Sequence, residues 1–391
     1  MLASKEKCTG CGVCYAICPK NAIRMEEDAE GFLAPELDKA NCIDCGLCKK
    51  SCPVTKVHAT HEPLECFGGF SLDRHERLAS SSGGIFSLLA RYTLKQNGVV
   101  CGCAWDEDFI AKHIMITSLE ELPRLRESKY VQSDATGIYE GLAEYLSLNQ
   151  KVLFAGTPCQ VAGVRSFLST KPLEENQLVN LYCVDLVCHG VPSPAVWKRN
   201  LDEIRSKYDS KLREIHFRNK KTGWKNYTLR YLFDNGDEYS HTTNNPDTYW
   251  RLFLENVDLR NSCYECQFKL MTSKADLTLG DFWCVWDMYP ELYDDFGTSE
   301  IIVHTHKGKE LLEAISSHCH LKLVELNRIV PSNSAIQFSM PKSPIRKRFF
   351  KQFRKGLSLE NALEQACKPT LHDQLYLFKR RLLGLFKGLL I

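Results

Sequence analysis

The sequence predicts a mixed α/β (α+β) protein in two unequal parts, a small cysteine-rich unit followed by a larger α/β domain. Three observations carry that expectation. Eight of the nineteen cysteines fall in two similar runs before residue 53. Beyond the polar stretch KVHATHEPLE, short apolar runs alternate with segments of helical periodicity. A chain of 391 residues also exceeds one ordinary domain, at roughly 150 residues each. The expected division is 1–56 for the cysteine unit, 57–66 for a linker, 67–335 for the larger domain and 336–391 for a basic helical tail.

In the first unit, CTGCGVCYAICP and CIDCGLCKKSCP both have the form C-x2-C-x2-C-x3-C-P. This is the established bacterial ferredoxin signature: three close thiolates wrap one corner of a cubane, and the fourth serves the neighbouring cluster. On that pattern Cys8, Cys11, Cys14 and Cys52 hold one [4Fe-4S] cluster, and Cys42, Cys45, Cys48 and Cys18 hold a second. Gly10, Gly12 and Gly46 would let backbone N–H groups approach the inorganic sulfurs. AIRMEEDAEGFLAPEL, between the runs, reads as two short strands around a polar turn. Zinc is the alternative, but its sites pair one C-x2-4-C with a distant second pair, and a triple run repeated twice favours iron–sulfur.

In the larger part, VVCGCAW, KVLFAG, NLYCVDLVC, YTLRYLF, ADLTLGDFW and IIVHTH read as strands. SGGIFSLLARYTLKQ, TGIYEGLAEYLSL and KELLEAISSH read as helices, and Asn235-Gly236 marks a hairpin. Three loops carry candidate chemistry. SSSGGIFSLL opens a helix whose N-terminal amides could cradle a phosphate, or simply cap it. KVLFAGTPCQVAG and DLVCHGVPSP place Cys159, Cys188 and His189 at strand ends, where open α/β sheets bind ligands. NSCYECQF adds a lone C-x2-C at Cys263 and Cys266. Spacing leaves that pair open among half a metal site, a redox dithiol and chance, although Cys159 and Cys188 would complete a set of four.

In order, SSSGGIF, ESKYVQS, VLFAGTPCQVAG, DLVCHGVPSP, HFRNKKTGW, CYECQF and ADLTLGDFW resemble the family of coenzyme F420 hydrogenase/dehydrogenase beta subunits, over about residues 66–330. The resemblance implies a flavoprotein that passes electrons between iron–sulfur clusters and a hydride carrier. It implies FAD near Ser82, Gly83, Gly84, Lys129, Tyr130, Thr157 and Pro158, with Asp281 and Phe282 closing the site. It implies a third [4Fe-4S] cluster on Cys159, Cys188, Cys263 and Cys266. Arg218 and Lys221 become candidates for holding a phosphate or carboxylate. Coenzyme F420 is one hydride carrier among alternatives, since the family extends to organisms that do not make it. No G-x-G-x-x-G argues for NAD.

The expected function is therefore an FAD- and Fe-S-dependent oxidoreductase, with a redox partner protein and a hydride-carrying small molecule. Its rivals are a non-enzymatic electron-transfer subunit that feeds a partner enzyme, in surface-polysaccharide biosynthesis for example, and a Cys159/His189 thiol enzyme. A net charge of +2 does not suggest nucleic acid. Lys5, Glu6 and Lys7 interrupt any secretory signal, and the odd cysteine count argues against a disulfide framework, so the expected location is cytoplasmic. From Pro341 onward twelve Lys/Arg face three Asp/Glu, a local +9 that leaves −7 for the rest. The closing LYLFKRRLLGLFKGLLI could rest on an anionic membrane surface at the inner face, or dock on its own core.

Overall fold

The computed structural model describes residues 2–56 and 58–368. The expected helix in LYLFKRRLLGLFKGLLI lies outside them. β1 (Ile23–Glu27) and β2 (Leu33–Leu37) form the expected antiparallel hairpin of the cysteine unit. Asp28 shapes its turn by accepting from the backbone N–H groups of Glu30 and Phe32, at 2.8 and 3.1 Å. Gly31 in that turn has φ +81°, and a Cβ there would lie 2.1 Å from the Ala195 Cβ. The hairpin can therefore approach helix Pro194–Arg205 only with glycine at its tip.

The larger part contains β3 (Glu65–Ser71), β4 (Val99–Trp105), β5 (Ala111–Ile116), β6 (Val152–Gly156), β7 (Leu181–Leu186), β8 (Leu212–Asn219), β9 (Thr228–Phe233), β10 (Glu238–Thr242), β11 (Leu277–Asp281), β12 (Ser299–Val303) and β13 (Cys319–Leu323). Eight of these form one sheet in the order β13-β3-β12-β11-β7-β6-β4-β5. Its centre, β4, β6, β7 and β11, is parallel, and both flanks are antiparallel. Apolar side chains leave both faces of the central strands, which is what a sheet covered on both sides requires. Val100, Leu153, Val184 and Leu277 pack on one side with helix Ile85–Lys95. Cys101, Val152, Phe154 and Cys183 pack on the other with helices Tyr139–Ser147 and Pro158–Leu168. Cys11 and Val13 of the cysteine unit join that second layer.

The second sheet, β10-β9-β8, is antiparallel and turns at Asn235-Gly236 as the hairpin signal predicts. It backs onto an aromatic core containing Trp197, Trp250, Tyr231 and Phe217. Helices Arg346–Phe353 and Leu359–Cys367 seat Phe349, Phe350 and Leu363 in the same core. Two sequence readings shorten. The helix expected over KELLEAISSH ends at Glu313 and yields to a 3-10 turn at Ser316–His318. The strand expected over NLYCVDLVC ends at Leu186, which frees Cys188 into a loop. Among the described residues, no helix is long and apolar enough to cross a membrane.

Candidate functional site

The parallel strands β6, β7 and β11 all point their carboxyl ends to one side of the sheet, and three candidate loops leave from there. After β6, Thr157 caps helix Pro158–Leu168, with its N–H donating to Gln160 Oε1 at 2.9 Å and Pro158 in the first turn. Cys159 is thereby held at the helix start, its Sγ 3.2 Å from Thr157 Oγ1. After β7, Gly190 takes φ +147°, and a Cβ there would meet Leu259 at 2.8 Å and Cys263 at 3.3 Å. This close approach brings the Cys188 loop against the 3-10 turn Asn261–Glu265 that carries Cys263. Lys269 Nζ ties the same loops together by donating to Cys188 O and Ala335 O, each at 2.9 Å.

Cys159, Cys188, Cys263 and Cys266 line one cavity of about 290 Å³. Burial pushes the thiols of Cys188 and Cys263 up to about 12 and raises Cys159 as well. The charges that raise them further come from within the set: Cys266 and Cys188 act on Cys159, and Cys263 and Cys266 act on Cys188. Buried this closely, the Cys159, Cys188 and Cys263 thiols resist ionising without a cationic partner. An all-thiolate donor set suits soft metals and iron–sulfur clusters. Among the described residues, no three His, Cys, Asp or Glu side chains close to single-ion distances. The donors fit a cluster that brings its own sulfides between the thiolates.

The amino-terminal cysteines assemble across the two runs. Cys11 and Cys14 both sense Cys8 and Cys52, and Cys48 senses Cys45 and Cys18. Cys42 lies in the same loop, its Sγ accepting from Asp44 N at 3.5 Å. The groups are also near enough for charge on one to act on the next, Cys48 on Cys52 and Cys11 on Cys159. Buried Arg260 locks this arrangement. Its guanidinium donates to Cys8 O at 2.6 Å, Gln132 Oε1 at 2.8 Å and Leu33 O at 3.0 Å. Gly10, at φ +68°, leaves room for it, since a Cβ would lie 2.8 Å from the guanidinium.

A larger cavity, about 570 Å³, opens beside the cysteine cavity, and the two share Thr9, Cys159, Cys188, His189, Gly190 and Val191 as walls. Ser82, Gly84, Lys129, Tyr130, Thr157 and Asp281 line it. Other expected residues sit differently. Gly83 packs on the sheet, donating its N–H to Ser299 Oγ at 3.0 Å, where a Cβ would lie 2.5 Å from Gly69 O. Pro158 lines the cysteine cavity instead. Phe282 turns into the core with Leu292 and Val285, and its neighbour Trp283 takes the cavity wall. Lys221 is exposed and lies 3.9 Å from Glu238. Lys129 is no free cation, because its Nζ donates to the carbonyls of Arg126, Arg124 and Glu127 at 2.5, 3.1 and 3.1 Å.

Sequence reading missed Lys220. Its Nζ runs beneath the serine–glycine loop and donates to Arg77 O, Ser82 O and Phe296 O at 2.5, 2.6 and 2.7 Å. Burial lowers its pKa to about 7. Nothing in Lys220-Lys221 tells which lysine turns inward; the 3-10 turn Lys220–Thr222 that follows β8 decides it, burying Lys220.

Residues 149–328 match the family described as coenzyme F420 hydrogenase/dehydrogenase, beta subunit, C terminus. Residues 7–56 match the 4Fe-4S dicluster domain. These matches make residues 149–328 similar to the carboxy-terminal part of F420 hydrogenase/dehydrogenase beta subunits and place an iron–sulfur dicluster domain at the amino end. The chain is 23% identical over 212 residues to the F subunit of the F(420)H(2) dehydrogenase of Methanosarcina mazei, a match that takes in 51% of this chain. The chain spans 60% of that relative's length. It also matches a chain of the F420-reducing [NiFe] hydrogenase complex from Methanosarcina barkeri, at 15% identity and a TM-score of 0.49, covering 78% of this chain and 91% of that one. That second likeness is too loose to transfer a fold or a site.

Proposed function

We propose that the chain is an iron–sulfur flavoprotein oxidoreductase that relays electrons between [4Fe-4S] clusters and an FAD-bound two-electron site. The observation that carries this reading is the shared wall: the Cys159 and Cys188 loops face the cysteine cavity and the larger cavity at once. Bound flavin supplies the exchange between single-electron and two-electron transfer. Cys8, Cys11, Cys14 and Cys52 would hold one cluster, Cys42, Cys45, Cys48 and Cys18 the outer one, and Cys159, Cys188, Cys263 and Cys266 the inner one. Cys45 is exposed, so the outer end of the row meets solvent, where a redox partner protein can dock.

In the larger cavity, Ser82 and Gly84 sit at the N-terminus of helix Ile85–Lys95, whose unsatisfied amides favour anionic oxygens. Lys220 holds that loop in place from below. Thr157 hydrogen-bonds near Cys159 and borders the position where a flavin ring would meet the cysteine set. The substrate class is a hydride-carrying small molecule, coenzyme F420 or another. The exposed end of the row also supports a second reading, in which the chain only passes electrons to a partner enzyme.

Anaerobic purification with counts of iron, sulfide and flavin tests the proposal. The expected result is about twelve iron atoms and one FAD per chain, at four iron atoms per cluster. A protein with full iron that neither contains nor takes up flavin sinks it. Bleaching of the bound flavin by a hydride donor, without any partner, decides against the second reading.

A further inference from the structure

One side chain in the wall of the larger cavity has incomplete hydrogen bonding. Arg218, on β8, is 3% exposed and lines that cavity. Its Nη1 donates to Asp281 Oδ2 at 2.7 Å and to Tyr130 Oη at 3.0 Å. Asp281 also accepts from Trp224 Nε1 at 2.9 Å, so its carboxylate is anchored independently of Arg218. The guanidinium lies over the Tyr227 ring, with Cζ 3.9 Å from the centroid, and 5.2 Å from that of Trp283. Stacking and the Asp281 bond together fix its plane.

Nε and Nη2 of Arg218 are buried and have no partner. These two N–H groups share one edge of the guanidinium and point the same way, so what is free is a complete two-pronged fork. Leaving buried charged donors unsatisfied is costly, and native structures rarely do so without a ligand or water. The fork matches the spacing of two oxygens on a carboxylate or phosphate, which a lysine ammonium does not.

We propose that Arg218 holds, through Nε and Nη2, an anionic two-oxygen group of the molecule that fills the larger cavity. It rests on the reading of that cavity as a ligand site and is independent of the cluster assignments. The group is a phosphate or a carboxylate, and it can come from the diphosphate of a dinucleotide cofactor or from the substrate.

The test compares the full-length, anaerobically purified protein with Arg218→Lys, which keeps the charge and loses the fork. Binding of inorganic pyrophosphate, FAD and riboflavin is measured by calorimetry and flavin fluorescence. Pyrophosphate affinity is expected to fall at least tenfold. If FAD falls with it while riboflavin does not, the fork holds the cofactor's diphosphate. If FAD affinity is unchanged and KM for reduced F420 rises at least tenfold at constant kcat, the group belongs to the substrate. Equal pyrophosphate and FAD affinities and equal KM in both proteins overturn the proposal. Should the variant not fold, phenylglyoxal labelling of the wild-type protein decides it: pyrophosphate is expected to protect Arg218, and unprotected Arg218 overturns the proposal. Wild-type protein that binds pyrophosphate but no flavin would defeat the flavin reading and leave the fork standing.

Discussion

The two cysteine regions gather their thiols by opposite routes. In the amino-terminal unit, three of the four cysteines of each run sit within seven residues, and on the proposed assignment only the last serves the other run. In the larger part, Cys159 comes from the loop after β6, Cys188 from the loop after β7, and Cys263 and Cys266 from a turn roughly 75 residues later. The first set owes its geometry to local chain spacing. The second exists because parallel strands open their loops on one side of the sheet, which concentrates distant residues at one place. A site built from converging loops depends on more of the fold than one built from a single short run.

That contrast can be broken by experiment, and the largest effect belongs to the inner set. Cys159→Ser is expected to remove about four iron atoms and to cut electron transfer from clusters to flavin at least a hundredfold. Iron analysis and single-turnover reduction check both. The electron paramagnetic resonance of the outer clusters should persist, and its loss would mean the two regions are not separable. Arg260→Ala attacks the joint between them. It orphans Cys8 O, Leu33 O and Gln132 Oε1 in buried surroundings, so a loss of about 3 kcal/mol in denaturant unfolding is expected. Here the amino-terminal clusters should keep their iron while transfer to the inner set slows.

Smaller effects follow within the larger part. Gly83→Ala would push a Cβ to 2.5 Å from Gly69 O and 2.8 Å from Ser299 N, with backbone on both sides. We expect about 2 kcal/mol of destabilisation, read as a lower Tm, from overpacking that cannot relax. The smallest effect is the surface pair on the β9–β10 hairpin. Arg230 donates to both oxygens of Glu238, at 2.9 and 2.6 Å, and holds that carboxyl down to about 2. A folded pKa below the unfolded one means the stabilisation is present above the ordinary carboxylate range and lost as pH falls toward 2. Glu238→Gln should cost about 0.5 kcal/mol at pH 6 and nothing at pH 2 in urea unfolding. It should leave both cysteine regions untouched.

How much of this was legible depends on the period of the signal. The hairpin at Asn235-Gly236 and helix Ile85–Lys95 were readable, because turn residues and 3.6-residue periodicity act within a few positions. β3, β5 and β13 were not singled out: β13 and β5 are the sheet's edges and β3 lies beside one, and the short alternations that mark them are weak. In the larger cavity, Asp281 could be placed from its motif, yet Phe282 beside it points into the core. Successive residues at a strand end face opposite ways, and the sequence does not carry that parity once the strand stops. Lys220 and Lys221 show the same ambiguity.

The chain's own order of residues determined the two amino-terminal cysteine runs, the α/β alternation and the resemblance to F420 hydrogenase/dehydrogenase beta subunits. Each follows from spacing or from patterns a few residues long. Tertiary structure decided that Cys159, Cys188, Cys263 and Cys266 line one cavity, that this cavity shares a wall with a larger one, and that Arg218 in the larger one's wall keeps two buried donors unpaired. Those facts depend on strand order, on which side the loops leave, and on side chains more than 50 residues apart closing on one another. No local pattern records such distances; burial of the sheet's two faces sets them.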